Sequence, residues 1–190
     1  MNQYISAIKR VFSTLPKVEQ ILHGLTVLWV LIQILSSGLM HINHHAIWAD
    51  ISTLSLIHIY SGILLLPICL LFVFIIIKRR TCKDLYPWGF KYFYQLKVDL
   101  LILKQCKLPQ PSPSGLAATV EGFGLLALLS SLLTGVAWFV AIKAGLDASF
   151  FLTIHKTTVG LIETYFYAHG LMGVLHILVE TRRYKKSSML

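Results

Sequence analysis

The chain has 190 residues, 56% hydrophobic and only 13% charged, with a mean hydropathy of +0.71, whereas a soluble domain carries about a quarter charged residues. A formal charge of +9 would suit a nucleic-acid partner, but of the 17 lysines and arginines all except Lys143 and Lys156 lie before the first apolar stretch, between the second and third, or after the last. In a chain that crosses a membrane four times these positions share one side, so the pattern is positive-inside; it sets topology, attracts anionic lipid headgroups and leaves no role for nucleic acid.

In chain order, residues 1–17 read as a short amphipathic lead-in, with Pro16 just ahead of the first helix, where proline is tolerated. Residues 18–40 form the first apolar stretch. Its length, His23 and the lack of a small-x-small cleavage site mark it as a span rather than a signal peptide. The brief loop "HINHHAIWAD" follows, with His41, His44 and His45 read as solvated and a metal or substrate site as the alternative. Residues 51–77 are the second span, in which Pro67 either kinks the helix or is accommodated by its neighbours. The long basic connection has two parts. In the first, Phe93, Leu96, Leu100 and Leu103 recur at helical steps among Lys91, Lys97, Asp99 and Lys104, predicting an amphipathic helix in the membrane interface. "LPQPSPSG" then breaks it ahead of the third span, 116–142, which the tight loop "KAGLDAS" joins to the fourth, 150–179.

A spanning helix needs about 20 apolar residues, and lipid offers no partner for backbone polar groups outside a helix or a closed barrel. The expected fold is therefore all-α: an integral-membrane four-helix bundle, residues 1–190 as one domain, both termini cytoplasmic. Cys69, Cys82 and Cys106 form no CxxC pair and no CxxCH haem-attachment signature. Any haem here would be held without a covalent link, and a structural disulfide is not expected.

Five further histidines lie within or near the ends of the spans: His23, His58, His155, His169 and His176. An intramembrane imidazole needs partners for its nitrogens and is by default a functional candidate, although one such histidine is as readily an inter-helix hydrogen bond. Four at matching depths weaken that reading. His155 and His169 are fourteen residues apart, roughly 40° from whole helical turns, and so share a face at levels roughly 21 Å apart. His58 lies opposite the outer level and His23 opposite the inner one. His176 shares the same face one level further in and competes with His169 as the partner of His23. A bare zinc or copper ion would want more ligands than such pairs offer. Haem needs only two axial ones, and Gly24, Gly62, Gly160, Gly170 and Gly173 would let a flat macrocycle approach, or else simply serve close helix packing.

The motifs "ILHGL", "LIHIYSG" and "HKTTVGLIETYFYAHG", spread over all four spans, resemble those of the bacterial cytochrome b561 family, which is related to the b-type cytochrome subunits of NiFe hydrogenases and formate dehydrogenases. The resemblance implies two non-covalent b haems with bis-histidine ligation, held by His58 with His155 and by His23 with His169, in a multi-pass protein of the bacterial inner membrane. It leaves His176 for a propionate or a quinone headgroup. Lys156 and Lys143 are read as neutralising outer propionates or as simply marking the membrane interface. Glu163, in mid-span, is read as a protonated, hydrogen-bonded carboxyl or as part of proton or quinone chemistry, and Glu121 as close enough to the cytoplasmic end to be solvated.

Low-spin, six-coordinate haems leave one-electron transfer as the expected function, between a redox donor and quinone across the lipid bilayer, with a redox partner protein possible. The alternative is an anchor subunit that relays electrons for a hydrogenase or dehydrogenase. A third reading, a transporter whose histidines relay protons, predicts no haem spectrum.

Overall fold

The computed structural model describes residues 15–44 and 46–187. His45 and the lead-in up to residue 14 lie outside the described residues, as do the side chains of Arg183, Lys185 and Lys186. Among the described residues six helices follow one another: α1 (Lys17–Ser37), α2 (Thr53–Arg79), α3 (Cys82–Leu85), α4 (Tyr94–Lys104), α5 (Leu116–Lys143) and α6 (Ser149–Ser187), with 3-10 turns at Trp48–Asp50 and Pro87–Phe90. The described residues contain no strand.

Local chemistry sets the helix boundaries. Pro16 precedes α1 and its carbonyl accepts from the Gln20 amide at 3.0 Å. The Ser52 hydroxyl caps α2 by accepting from the Ser55 amide at 3.3 Å, and α2 continues through Pro67 to Arg79. At the end of α5 the Leu146 amide reaches back to the Ala141 carbonyl at 3.0 Å and the Gly145 amide to that of Ile142 at 3.2 Å. That double return needs a left-handed residue, which Gly145 supplies with φ +69°. The chain thereby reverses within five residues, and α6 packs along α5.

α1, α2 and α5 are long and apolar enough to cross a membrane. Their outward surface is apolar: Ile21 is 69% exposed, Phe74 61% and Val140 57%. A surface of this kind belongs against hydrocarbon rather than water. The fourth expected stretch is helical as well, but it is not one of these three. Lys156, Glu163, three histidines and a series of threonines dilute its apolar residues, and the helix runs on into the polar "TRRYKKS".

α1 packs on α2, α2 on α5 and α5 on α6. Val30, Leu65, Cys69, Leu128 and Ile162 form a buried cluster midway along, drawn from all four long helices. A second cluster, with Ile59, Trp138 and Leu152, lies toward the end that carries the loops 38–52 and 144–148, here called the turn end. A third, with Leu22, Phe72, Ile76 and Leu85, lies toward the opposite, linker end.

The connection between α2 and α5 is folded onto the linker end. A reciprocal Thr81–Asp84 capping box starts α3. Leu85 is fully buried, and its carbonyl and the Tyr86 ring occupy the space that a side chain on Gly122 would take. Trp88 stacks on Phe123 of α5 with centroids 5.6 Å apart and planes 7° from parallel. The amphipathic helix forms as α4, but its faces are used differently from the expectation. Phe93, Leu100 and Leu103 face outward. Asp99, assigned by its charge to the polar face, is instead buried at 2% exposure. Its carboxylate accepts from Gln95 Nε2 at 2.8 Å and from the Leu116 amide at 2.7 Å, capping α5 from a distance. Gly115 has no side chain because this carboxylate and Ser112 fill the position a Cβ would take. Asp99→Ala is expected to cost about 2 kcal/mol, the sum of a lost cap and a lost buried hydrogen bond. Thermal unfolding in detergent checks this, with Asp99→Asn, which keeps an acceptor, losing less.

Two ion pairs bind the same end. Arg79 grips the buried Glu19 of α1 with two guanidinium nitrogens, Nε and Nη2. Arg80 Nη1 meets Glu121 Oε2 at 3.1 Å, and the Glu121 side chain is only 26% exposed. Glu121 is therefore paired and largely enclosed rather than solvated.

Candidate functional site

Four of the five span histidines fall at two levels. Toward the turn end, His58 of α2 and His155 of α6 both line a cavity of about 320 Å³ between the long helices. Its walls are mainly apolar, and Gln33, Ser37, Lys156 and Glu163 supply polar groups. Toward the linker end, the rings of His23 and His169 lie edge to face with centroids 6.2 Å apart. His23 also meets Phe72 at 6.1 Å, and His169 stacks on Tyr165 at 5.1 Å with planes 15° apart.

The hydrogen-bond partners of Nδ1 bear on which nitrogen of each turn-end imidazole is available. His155 Nδ1 lies 2.9 Å from the Ser131 carbonyl. A carbonyl can only accept, so Nδ1 carries the proton and Nε2 the lone pair. His58 Nδ1 lies 2.8 Å from Ser36 Oγ, a hydroxyl that could act either way. Ser36 Oγ has one proton, however, and the Gln33 carbonyl at 3.0 Å is an acceptor for it. With its proton there, it accepts from His58 Nδ1–H at 2.8 Å, which leaves the lone pair of His58 also on Nε2. Metal-bound histidines are oriented in this way, with the second nitrogen donating to a carbonyl or another acceptor.

The surroundings leave little slack around these rings. A side chain on Gly135 would come within 3.1 Å of His155 Cε1 and 3.2 Å of its Nδ1, so Gly135 gives the ring its place. Around Gly24, Gly160, Gly170 and Gly173 nothing lies within 4 Å of where a Cβ would be. Gly62 is nearest the Gln33 amide, at 3.8 Å.

The remaining sequence candidates are placed as follows. Of the two histidines competing for His23, His169 makes the ring contact, and His176 lies about two turns further along α6, half-buried. Lys156 lines the cavity and donates to the Ile42 carbonyl at 3.2 Å, tying α6 to the α1–α2 loop. Lys143 is drawn over the Trp48 ring, 4.3 Å from its centroid. His41 and His44 are exposed. Sequence reasoning missed Ser36, Gln33, Gly135, Tyr165 and the Ser131 carbonyl. Two of these left a trace, since Gln33 and Ser36 are polar residues one turn apart near the end of an apolar span.

The arrangement can hold a cofactor only of a particular kind. Among the described residues no three of His, Cys, Asp or Glu gather as a metal-ion site. Each level instead brings together two imidazoles from different helices. Imidazoles ligating one metal from opposite sides with bonds of about 2 Å have centroids about 6 Å apart, close to the 6.2 Å of His23 and His169. The donor set thus fits a group that brings its own in-plane ligands. No curated protein and no solved structure matches the chain. A family model described as prokaryotic cytochrome b561 matches residues 14–190, nearly the whole chain, and with three helices apolar enough to cross a membrane and histidines paired between the long helices beneath that match, the protein belongs to the prokaryotic cytochrome b561 family of membrane b-type cytochromes that bind haem and transfer electrons.

Proposed function

We propose that the chain is a dihaem cytochrome of the bacterial inner membrane that passes electrons between a redox donor and quinone. In this reading α1, α2, α5 and α6 form a four-helix membrane bundle, with both termini and the linker end in the cytoplasm. That orientation rests on the basic residues of the linker end. His58 and His155 hold the outer b haem and His23 and His169 the inner one. The observation that carries the reading is the pairing of imidazoles from different helices at each of two levels, with Nδ1 of both turn-end rings hydrogen-bonded.

Bound haem supplies a one-electron ferric–ferrous couple. The chain fixes the tautomer of His58 through Ser36 and that of His155 through the Ser131 carbonyl. It excludes water with Ile59, Leu65, Leu128 and Trp138 around the outer cavity. Lys156, at the cavity wall, is proposed to face an outer propionate, and His176 an inner propionate or the quinone headgroup. Glu163 gives the cavity a carboxyl between the two levels. The turn end offers only the loops 38–52 and 144–148 for docking, which favours a stand-alone oxidoreductase over an anchor subunit of a larger complex.

The test is a reduced-minus-oxidised visible spectrum of the purified chain together with a pyridine haemochrome assay. Two b haems per chain support the proposal. A preparation made under haem-replete conditions that is folded and haem-free refutes it and favours a proton-relaying transporter.

A further inference from the structure

We propose that Ser36 is a positioning residue that sets the redox balance at the turn-end histidine pair by holding His58 in the ligating tautomer. The inference rests on the proposed ligation by His58 and His155, and extends it to a residue of α1 that touches neither haem nor substrate.

The geometry comes from a polar ladder between α1 and α2. Trp29, Gln33 and Ser36 are spaced four and three residues apart and so share one face of α1. On α2 they meet His58 and Ser61. Trp29 Nε1 donates to Ser61 Oγ at 2.8 Å, and Gln33 Nε2 donates to the same oxygen at 2.9 Å and to the His58 carbonyl at 3.4 Å. These bonds fix the register of the two helices at the level of His58. Ser36 has an acceptor for its proton on its own helix. Its hydroxyl proton goes back to the Gln33 carbonyl one turn earlier, and its lone pair meets His58 Nδ1 at 2.8 Å. Without that back-bond the hydroxyl could donate to Nδ1. The imidazole would then be protonated on Nε2 and could not ligate.

The two imidazoles of the pair are thus oriented by different means. His155 is held by a backbone carbonyl, which substitution of a side chain does not remove. His58 is held by a side chain, so its basicity is open to tuning by sequence. Donation from Nδ1–H raises the basicity of Nε2, and a more basic ligand favours the ferric over the ferrous state. Removing the acceptor moves the balance toward ferrous.

The experiment is a potentiometric titration of the full-length haem-loaded protein in detergent, comparing wild type, Ser36→Ala, Ser36→Thr and Ser36→Cys. Ser36→Ala is expected to shift one of the two midpoints by about tenfold in the ferrous-to-ferric ratio, a rise of about 59 mV for one electron, with the other midpoint and the haem content unchanged. Threonine also bonds the carbonyl one turn back, so Ser36→Thr is expected to restore the wild-type value. Ser36→Cys keeps the volume with a weaker acceptor and should shift in the same direction by less. Fully loaded Ser36→Ala and Ser36→Cys proteins with unshifted midpoints, or a Ser36→Thr protein shifted as far as Ser36→Ala, overturn the role of Ser36 while leaving the haem assignment standing. A haem-free wild type, or His58→Ala retaining both haems, overturns the assignment itself.

Discussion

Replacing His58 by alanine is expected to halve the haem content of the purified protein. The substitution removes one of the two proposed axial nitrogens at the turn end and leaves its partner His155 with a lone pair and nothing opposite. Nothing at the linker end changes, because His23 and His169 meet each other some turns away. His155→Ala should have the same outcome, and the double variant should lose no more than either single one, since both act on one site. His58→Ala combined with His23→Ala, by contrast, should contain no haem at all. Haemochrome content read beside far-ultraviolet circular dichroism checks this, the latter confirming intact helices. Loss of all haem from the folded His58→Ala protein would mean that the two levels do not bind independently.

The second large effect is expected at a residue that binds nothing. Gly124 of α5 lies against the ring of Tyr165 so closely that a Cβ would overlap three of its ring carbons. Gly124→Ala must therefore push the phenol aside, at a cost of about 3 kcal/mol for overpacking a dense helix contact. Tyr165 is stacked on His169, so the displacement reaches that imidazole one turn along α6. The predicted outcome is selective: the spectral component lost in His169→Ala should be weakened or lost in Gly124→Ala, while the component assigned to His58 and His155 persists. Thermal denaturation should report a drop of about 2–4 °C for each kcal/mol lost. Equal weakening of both components would mean general loosening of α5 and α6 rather than transmission through Tyr165.

These two residues also mark what could and could not be seen from sequence. The long helices were legible because apolar runs of spanning length have few other uses, and the helices begin and end within three residues of where those runs do, except that α6 continues eight residues past 179 to Ser187. The histidines stood out because a polar ring in such a run needs a reason. Gly124 carried no such sign, since small residues are common wherever membrane helices pack, and only the position of Tyr165 on another helix makes this one indispensable. The same holds for the polar contacts. Glu19 and Arg79 are sixty residues apart, and no local pattern announces their pairing. Asp99 looked like one more surface charge on an amphipathic helix, yet its role depends on the start of α5. The orienting group of His155 is a backbone carbonyl, which no amino-acid identity encodes. Ser36 was visible as a residue but not as an acceptor, because that depends on where its single proton goes.

The sharing of each histidine pair between α1–α2 and α5–α6 bears on how the protein is made in the cell. His23 and His58 belong to the first helical hairpin and His155 and His169 to the second, so under the proposed ligation every haem is also a rivet between hairpins. A ligand that binds only the assembled form adds about 4 kcal/mol when present at a thousand times its dissociation constant. Porphyrin supply would then govern how much protein survives quality control after insertion, and cells short of iron would lose the polypeptide by proteolysis rather than accumulate an inert form of it.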